Sequence, residues 1–142
     1  MRLFQAIKSN FSEELPLNLR HGQLGERAAR QHLSGLGLKF LTANFRSERG
    51  ELDLVFRDRD CLVFVEVKTR SREDWVRPAA AVDKDKRRLL SQAALDYLRL
   101  LRNPAIKFRF DIVEVLLQEG RVREVRHLPN TFTLSRPYRY GA

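Results

Sequence analysis

The 142-residue chain has one cysteine, Cys61, so no internal disulfide can close, and a reducing compartment fits that composition. No run approaches the ~20 apolar residues of a membrane helix. Met1 to Lys8 carries a basic residue but no sustained apolar stretch after it, so no signal peptide is expected. These absences place the protein in the cytoplasm and away from membranes. The three histidines, His21, His32 and His127, fall at no metal-ligand spacing. Seven glycines form no phosphate-cradling loop, which argues against an NTPase. Internal repeats and low-complexity tracts are missing. Acid is scarce: 18 Asp and Glu face 27 Lys and Arg, for a net charge of +9. Such a balance favours a polyanionic partner, nucleic acid first.

The 43% of hydrophobic residues is enough for one globular domain with one core. Its centre is the stretch from Gly50 to Arg70, GELDLVFRDRDCLVFVEVKTR. Leu52, Leu54 and Phe56 alternate with other residues, and Leu62 to Val67 is rich in β-formers, so two strands are expected around the polar break Arg57-Asp58-Arg59-Asp60. A turn centred between Arg59 and Asp60 pairs residues whose numbers sum to 119. Asp53 then lies opposite Glu66, and Lys68 shares a strand face with Glu66. Directly opposed side chains lie about 5 Å apart at Cβ, and two like charges there repel unless something positive intervenes. A divalent cation on the carboxylate oxygens would answer that, with Lys68 flanking it. Mg²⁺ takes only one or two protein carboxylates and keeps its waters, which suits phosphodiester hydrolysis. Lys68 would orient the attacking water or stabilise charge on the phosphate. The plainer alternative is an ion-pair ladder, with both acids held by Lys68 or Arg70.

Met1 to Leu19 is an N-terminal appendage ended by Pro16. Gly22 to Leu36 is helical, with Leu24, Ala28, Leu33 and Leu36 on one face and Gly35 and Gly37 at its end. Glu26 borders the stripe and could simply complement the helix dipole. Leu38 to Phe45 is a strand, and Ser47 to Gly50 a turn in which Gly50 supplies permissive backbone. Ser71 to Ala80 is a loop whose Trp75, between Arg72 and Arg77, either stacks on a base or caps the core. Asp83 to Arg102 is the longest helix. Lys86 interrupts its apolar stripe, either snorkelling or aiming at an anionic site, while Lys84, Arg87 and Arg88 form a basic face suited to phosphates. Lys107 to Leu117 and Arg121 to Leu128 form a second hairpin about Glu119-Gly120. Residues 129–142 are an extended tail in which Arg136, Tyr138, Arg139 and Tyr140 interleave charge and aromatics. Cys61 at a strand start reads as core rather than nucleophile.

GELDLV, LVFVEVKTR, AVDKDKRRL and RFDIV, preceded by GQLGERAARQHL, together resemble the YraN family of bacterial proteins. The resemblance runs from about Gly22 to about Leu128. That family is similar to Holliday-junction resolvases and to the wider PD-(D/E)xK, restriction-endonuclease-like nucleases. The resemblance implies an α/β fold with a mixed central sheet flanked by helices, occupying residues 20–128. It implies Asp53 and Glu66 as metal ligands, with the Val67 carbonyl as a third, and Lys68 as the catalytic lysine. Glu26 matches the first-helix glutamate near the metal and is implied as a further metal-site and catalytic residue, and Lys86 matches a basic position facing substrate. Asp111 is a family position open to a structural role. Leu52 stands where the motif's name has proline, and the Ser71 to Ala80 loop departs from the family's small, glycine-containing form.

The expectation is a Mg²⁺- or Mn²⁺-dependent endonuclease acting on DNA, including branched recombination or repair intermediates. Arg70, Arg72, Lys84, Lys86, Arg87 and Arg88 would contact the nucleic acid, and a homodimer is expected by analogy with the resolvases. The alternatives are a non-catalytic nucleic-acid-binding module on the same fold, and an interaction protein docking through its N-terminal appendage.

Overall fold

The structure is a computed structural model that describes residues 16–71 and 82–141. Most of the expected N-terminal appendage, Arg72 and the Trp75 loop lie outside the described residues. Helix α1 spans Leu17–Gly35 and is followed by strands β1 (Lys39–Ser47), β2 (Gly50–Asp58) and β3 (Cys61–Ser71). Helix α2 (Lys84–Leu100) leads to β4 (Lys107–Gln118) and β5 (Arg121–Phe132).

The strands form one five-stranded sheet in the order β1-β2-β3-β4-β5. Both hairpins arise from short turns. Arg59 and Asp60 alone separate β2 from β3, and Arg59 takes φ 56°. The observed pairs run from Asp58–Cys61 to Leu54–Val65, the register expected from that turn. Glu119 and Gly120 join β4 to β5, both at positive φ (54° and 73°), as a type I′ turn requires. β3 and β4 are parallel, with α2 as the crossover that parallel pairing demands. The sheet is therefore mixed, and the fold is an α/β fold compatible with the restriction-endonuclease-like class.

The helices cover opposite faces. Ala29 and Leu33 of α1 pack with Leu54, Phe56, Val63, Val65, Val113 and Val115. Leu90, Ala93, Ala94 and Leu98 of α2 pack with Leu52, Val55, Phe64, Phe110 and Ile112. In β3 and β4 a side chain's place in the alternation thus decides which helix it meets, whereas in β2 the alternation breaks at Asp53, with Leu52 turned to α2 and Leu54 to α1.

Local readings change in four places. α1 begins directly after Pro16 instead of near Gly22, as the fixed φ and missing N–H of proline allow. The buried stripe of α1 is Gly25, Ala29 and Leu33, while Leu36 is 57% exposed. Leu36 points outward because the helix closes there: Gly37 adopts φ +95°, and the Leu38 N–H bonds the Leu33 carbonyl at 3.2 Å. Gly50 serves close approach instead of turn freedom, since a Cβ there would stand 2.7 Å from the Leu89 carbonyl oxygen of α2. Finally, β5 runs on to Phe132, which stacks on Phe110 at 4.6 Å. Beyond it, the Ser135 N–H bonds Ser91 Oγ at 2.9 Å. The Tyr140 hydroxyl donates to the Pro104 carbonyl, and the Gln92 amide donates to the Tyr138 hydroxyl. The tail tyrosines hold the domain's own helix and loop. Among the described residues, no helix is long and apolar enough to cross a membrane.

Candidate active site

Immediately past the Leu54–Val65 pair, a side chain takes over a backbone role. Asp53 Oδ2 accepts the Val67 N–H at 2.8 Å. That bond holds the Asp53 carboxyl against β3 next to Glu66, and the two carboxyl groups hydrogen-bond each other. Glu66 is 9% exposed. Burial pushes its carboxyl up to about 7, the charge of Asp53 adding to the effect. Burial also raises Asp53, against the opposing pull of the Val67 N–H. Two carboxyl groups this close and this dry resist ionising together.

Lys86 reaches this pair from α2. Its Nζ lies 3.3 Å from Glu66 Oε1. The helix is positioned for this by Asp83, whose carboxylate caps it by accepting the Lys86 N–H at 2.8 Å. Loss of solvent pulls the Lys86 ammonium down, but Glu66, Asp53 and Glu51 outweigh it and leave it raised. Lys68 is half-buried two residues beyond Glu66, level with the fully buried Glu114 of β4. Burial, then the nearby Arg70, lowers its ammonium pKa.

Glu26 of α1 approaches from the other layer. Burial and the charge of Asp53 raise its carboxyl, while a hydrogen bond with the Asn44 side chain opposes the rise. Asn44 was not among the residues singled out from the sequence. It lies in β1 between the Ala43–Leu54 and Phe45–Leu52 pairs, level with Asp53, at φ 54°. An asparagine inside a strand was the available signal, since asparagine is depleted from strands and tolerates the left-handed region.

The donor set suits a hard divalent cation in kind. Among the described residues, no three His, Cys, Asp or Glu side chains gather tightly enough to hold an ion unaided. Two carboxylates do meet, which is the number Mg²⁺ commonly takes from protein while retaining its waters.

The profile of the Uncharacterised protein family UPF0102 matches residues 25–115. The chain belongs to the UPF0102, or YraN, family. A UPF0102 protein of Trichlorobacter lovleyi is 41% identical over 115 residues, which cover 80% of this chain and 91% of that one. One from Syntrophus aciditrophicus is 42% identical over 101 residues, covering 71% and 80%. One from Geotalea uraniireducens is 39% identical over 127 residues, covering 87% and 98%. The span matched by the UPF0102 profile contains Glu26, Asp53, Glu66, Lys68, Lys86 and Asp111.

Two of the six basic residues expected to contact nucleic acid, Lys84 and Arg88 of this UPF0102 chain, stand exposed on α2. Lys86 turns inward to Glu66. Arg87 donates from Nε to the Val82 carbonyl at 2.9 Å and lies 5.7 Å from the Phe132 ring. Arg70 Nε is 3.9 Å from Glu114 Oε2, and Arg72 is outside the described residues. Beside Lys86, an open groove of about 610 Å³ runs between α2 and the β1–β2 turn, bordered by Arg46, Arg49, Gly50, Glu51 and Leu89. Asp111 stands apart from the acid pair. It is level with Val65, so strand alternation turns it to the opposite face from Glu66. There it accepts from Arg109 Nε at 3.0 Å and the Asn130 N–H at 2.9 Å, and meets His127 Nε2 at 2.7 Å. These partners outweigh its burial and keep its carboxyl below the usual range.

Proposed function

We propose that this UPF0102 chain is a cytoplasmic, metal-dependent nuclease that hydrolyses DNA phosphodiesters, with branched recombination or repair intermediates as the substrate class. The observation that carries the reading is the meeting of the Asp53 and Glu66 carboxyl groups where the β2–β3 pairing gives way, with Lys68 following on the same strand face. In this reading Asp53, Glu66, the Val67 carbonyl and Glu26 would hold Mg²⁺ or Mn²⁺. A cation there supplies charge neutralisation at the phosphate. Lys68 feels the charge of Glu66 and, with its pKa lowered by burial, can orient water or a phosphate oxygen. Lys84 and Arg88 give the exposed positive charge for backbone contacts. A branched substrate with two equivalent strands suits a symmetric homodimer.

A non-catalytic nucleic-acid-binding module is the second reading. It is favoured by Lys86, which already neutralises Glu66 with an ammonium. A cleavage panel separates them: linear, flap, single-stranded and four-way DNA, with and without Mn²⁺. The nuclease nicks at least one substrate only with metal, and Asp53→Asn or Lys68→Ala abolishes cutting while leaving binding. No metal-dependent cutting of any substrate, with salt-sensitive binding intact in all three proteins, gives the binding module instead.

A further inference from the structure

The placement of Lys86 has no explanation within its own helix. It lies in the first turn of α2, where the dipole disfavours a cation, and it interrupts an apolar stripe. What it gains there is Glu66 Oε1 at 3.3 Å. An ammonium and a hard divalent cation would compete for that same oxygen. Both cannot sit on it without placing like charges within a few ångströms of each other, where Coulomb repulsion is strong in a partly dry site. Lys86 is also free to leave. Its side chain is 42% exposed, its four-carbon stem is flexible, and it forms one wall of the open groove beside the β1–β2 turn. The other cations of that groove are already engaged: Arg46 with Glu51 at 3.2 Å and Arg49 with Asp96 at 2.7 Å.

We infer that Lys86 is a resident counter-ion for the Asp53–Glu66 pair, that a divalent cation displaces it, and that the freed ammonium turns into the groove to bind a substrate phosphate. The inference rests on the metal reading above and adds a coupling to it. Metal binding releases a phosphate ligand, so metal and nucleic acid strengthen each other's binding, and linkage makes that effect reciprocal. It also gives α2 a role in metal affinity although it contributes no carboxylate to the ion.

The test is a Mn²⁺ titration of the full chain, followed by electron paramagnetic resonance and thermal unfolding, on wild type, Lys86→Gln, Lys86→Arg and Asp53→Asn. Loss of the competing charge should make Lys86→Gln bind Mn²⁺ about tenfold more tightly, or about 1.4 kcal/mol. Lys86→Arg keeps the charge and should bind like wild type, and Asp53→Asn should bind weakly. Equal or weaker binding by Lys86→Gln, with Asp53→Asn still impaired, overturns the counter-ion role and leaves the metal site standing. No Mn²⁺ binding by wild type or Lys86→Gln overturns both. Release toward substrate is read from the salt dependence of duplex binding in a Lys68→Ala background. With Mn²⁺, adding Lys86→Gln should reduce the slope by about one phosphate contact, and without Mn²⁺ the slopes should coincide. Coincident slopes in both conditions overturn the release.

Discussion

The Val67 N–H donates to the Asp53 carboxylate at 2.8 Å, a side-chain bond standing where the next rung of the β2–β3 ladder would form. Asp53 therefore does two jobs: it ties β3 to β2 and it faces Glu66. These can be separated by substitution. Asp53→Asn keeps an oxygen for the Val67 N–H and removes one of two repelling charges. Its urea midpoint at about pH 8 should match or exceed that of wild type. Asp53→Ala leaves the N–H without its acceptor and should lose about 1–3 kcal/mol. Equal destabilisation by both changes would mean that the charge, and not the acceptor, is what the fold uses.

The acid pair also sets a pH dependence. Glu66 is raised from 4.5 to about 7 and Asp53 is raised in the same direction. Between the unfolded and folded values the native state binds more protons than the unfolded chain, so stability falls as pH rises. The contribution is full below about pH 4.5 and is lost as pH climbs through about 7. Asp111 and Asp96, held low by their partners, act oppositely, losing their contribution only as pH falls through their depressed folded-state values. In metal-free buffer the thermal midpoint should drop on going from about pH 6 to about pH 8. Millimolar Mg²⁺ or Mn²⁺, which needs the ionised acids, should raise the midpoint more at about pH 8 than at about pH 6. A cation effect that is flat across this range would count against binding at Asp53 and Glu66.

Asp111 gives a contrasting case. It is fully buried, with Arg109, His127 and the Asn130 N–H all converging on it. Asp111→Ala leaves the Asn130 N–H without its acceptor and leaves Arg109 with Asp58 alone, at 3.1 Å, and should cost about 1–3 kcal/mol, measured by urea unfolding. Because its side chain lies across the sheet from the acid pair, the folded fraction should bind Mn²⁺ as wild type does. Lost metal affinity in folded Asp111→Ala would show that the two faces are coupled.

What could be read from the chain follows from how local each feature is. The Asp58–Cys61 to Leu54–Val65 register depends only on a two-residue turn and strand alternation and is legible in the sequence, whereas the ladder stops before the expected Asp53–Glu66 pair and Asp53 bonds the Val67 N–H instead. Lys86 was visible as an anomaly, a charge in an apolar stripe, but its partner on β3 depends on how α2 crosses the sheet. Asn44 was missed because its hydrogen bond to Glu26 and its proximity to Asp53 join three separate segments. The tyrosines of the tail resembled a surface for bases because the sequence does not show that Phe108, Pro104 and Gln92 lie underneath them. Gly50 reads from sequence as a turn residue, because a glycine required by a helix passing close by looks the same in sequence as one required by a turn.

Gly25 has a similar hidden role, with consequences for the site. It is buried where α1 crosses β3, and a Cβ there would meet Thr69 Oγ1 at 1.9 Å and Thr69 Cβ at 3.1 Å. In an isolated helix, alanine is favoured over glycine by about 1 kcal/mol. Here the overlap is too deep for Thr69 to clear by a small adjustment, so overpacking should win and Gly25→Ala should lose about 1–3 kcal/mol. The relief available is for α1 to move off the sheet, and the next residue along it is Glu26, whose carboxyl senses Asp53. Gly25→Ala should therefore weaken Mn²⁺ binding in the folded protein, if Glu26 contributes to the ion's surroundings. Adding Thr69→Ala removes the nearest atom and should recover most of the stability and the metal affinity together, as read by urea unfolding and Mn²⁺ titration. Recovery of stability without recovery of metal affinity would show that Thr69, and not the position of Glu26, is what the site needs.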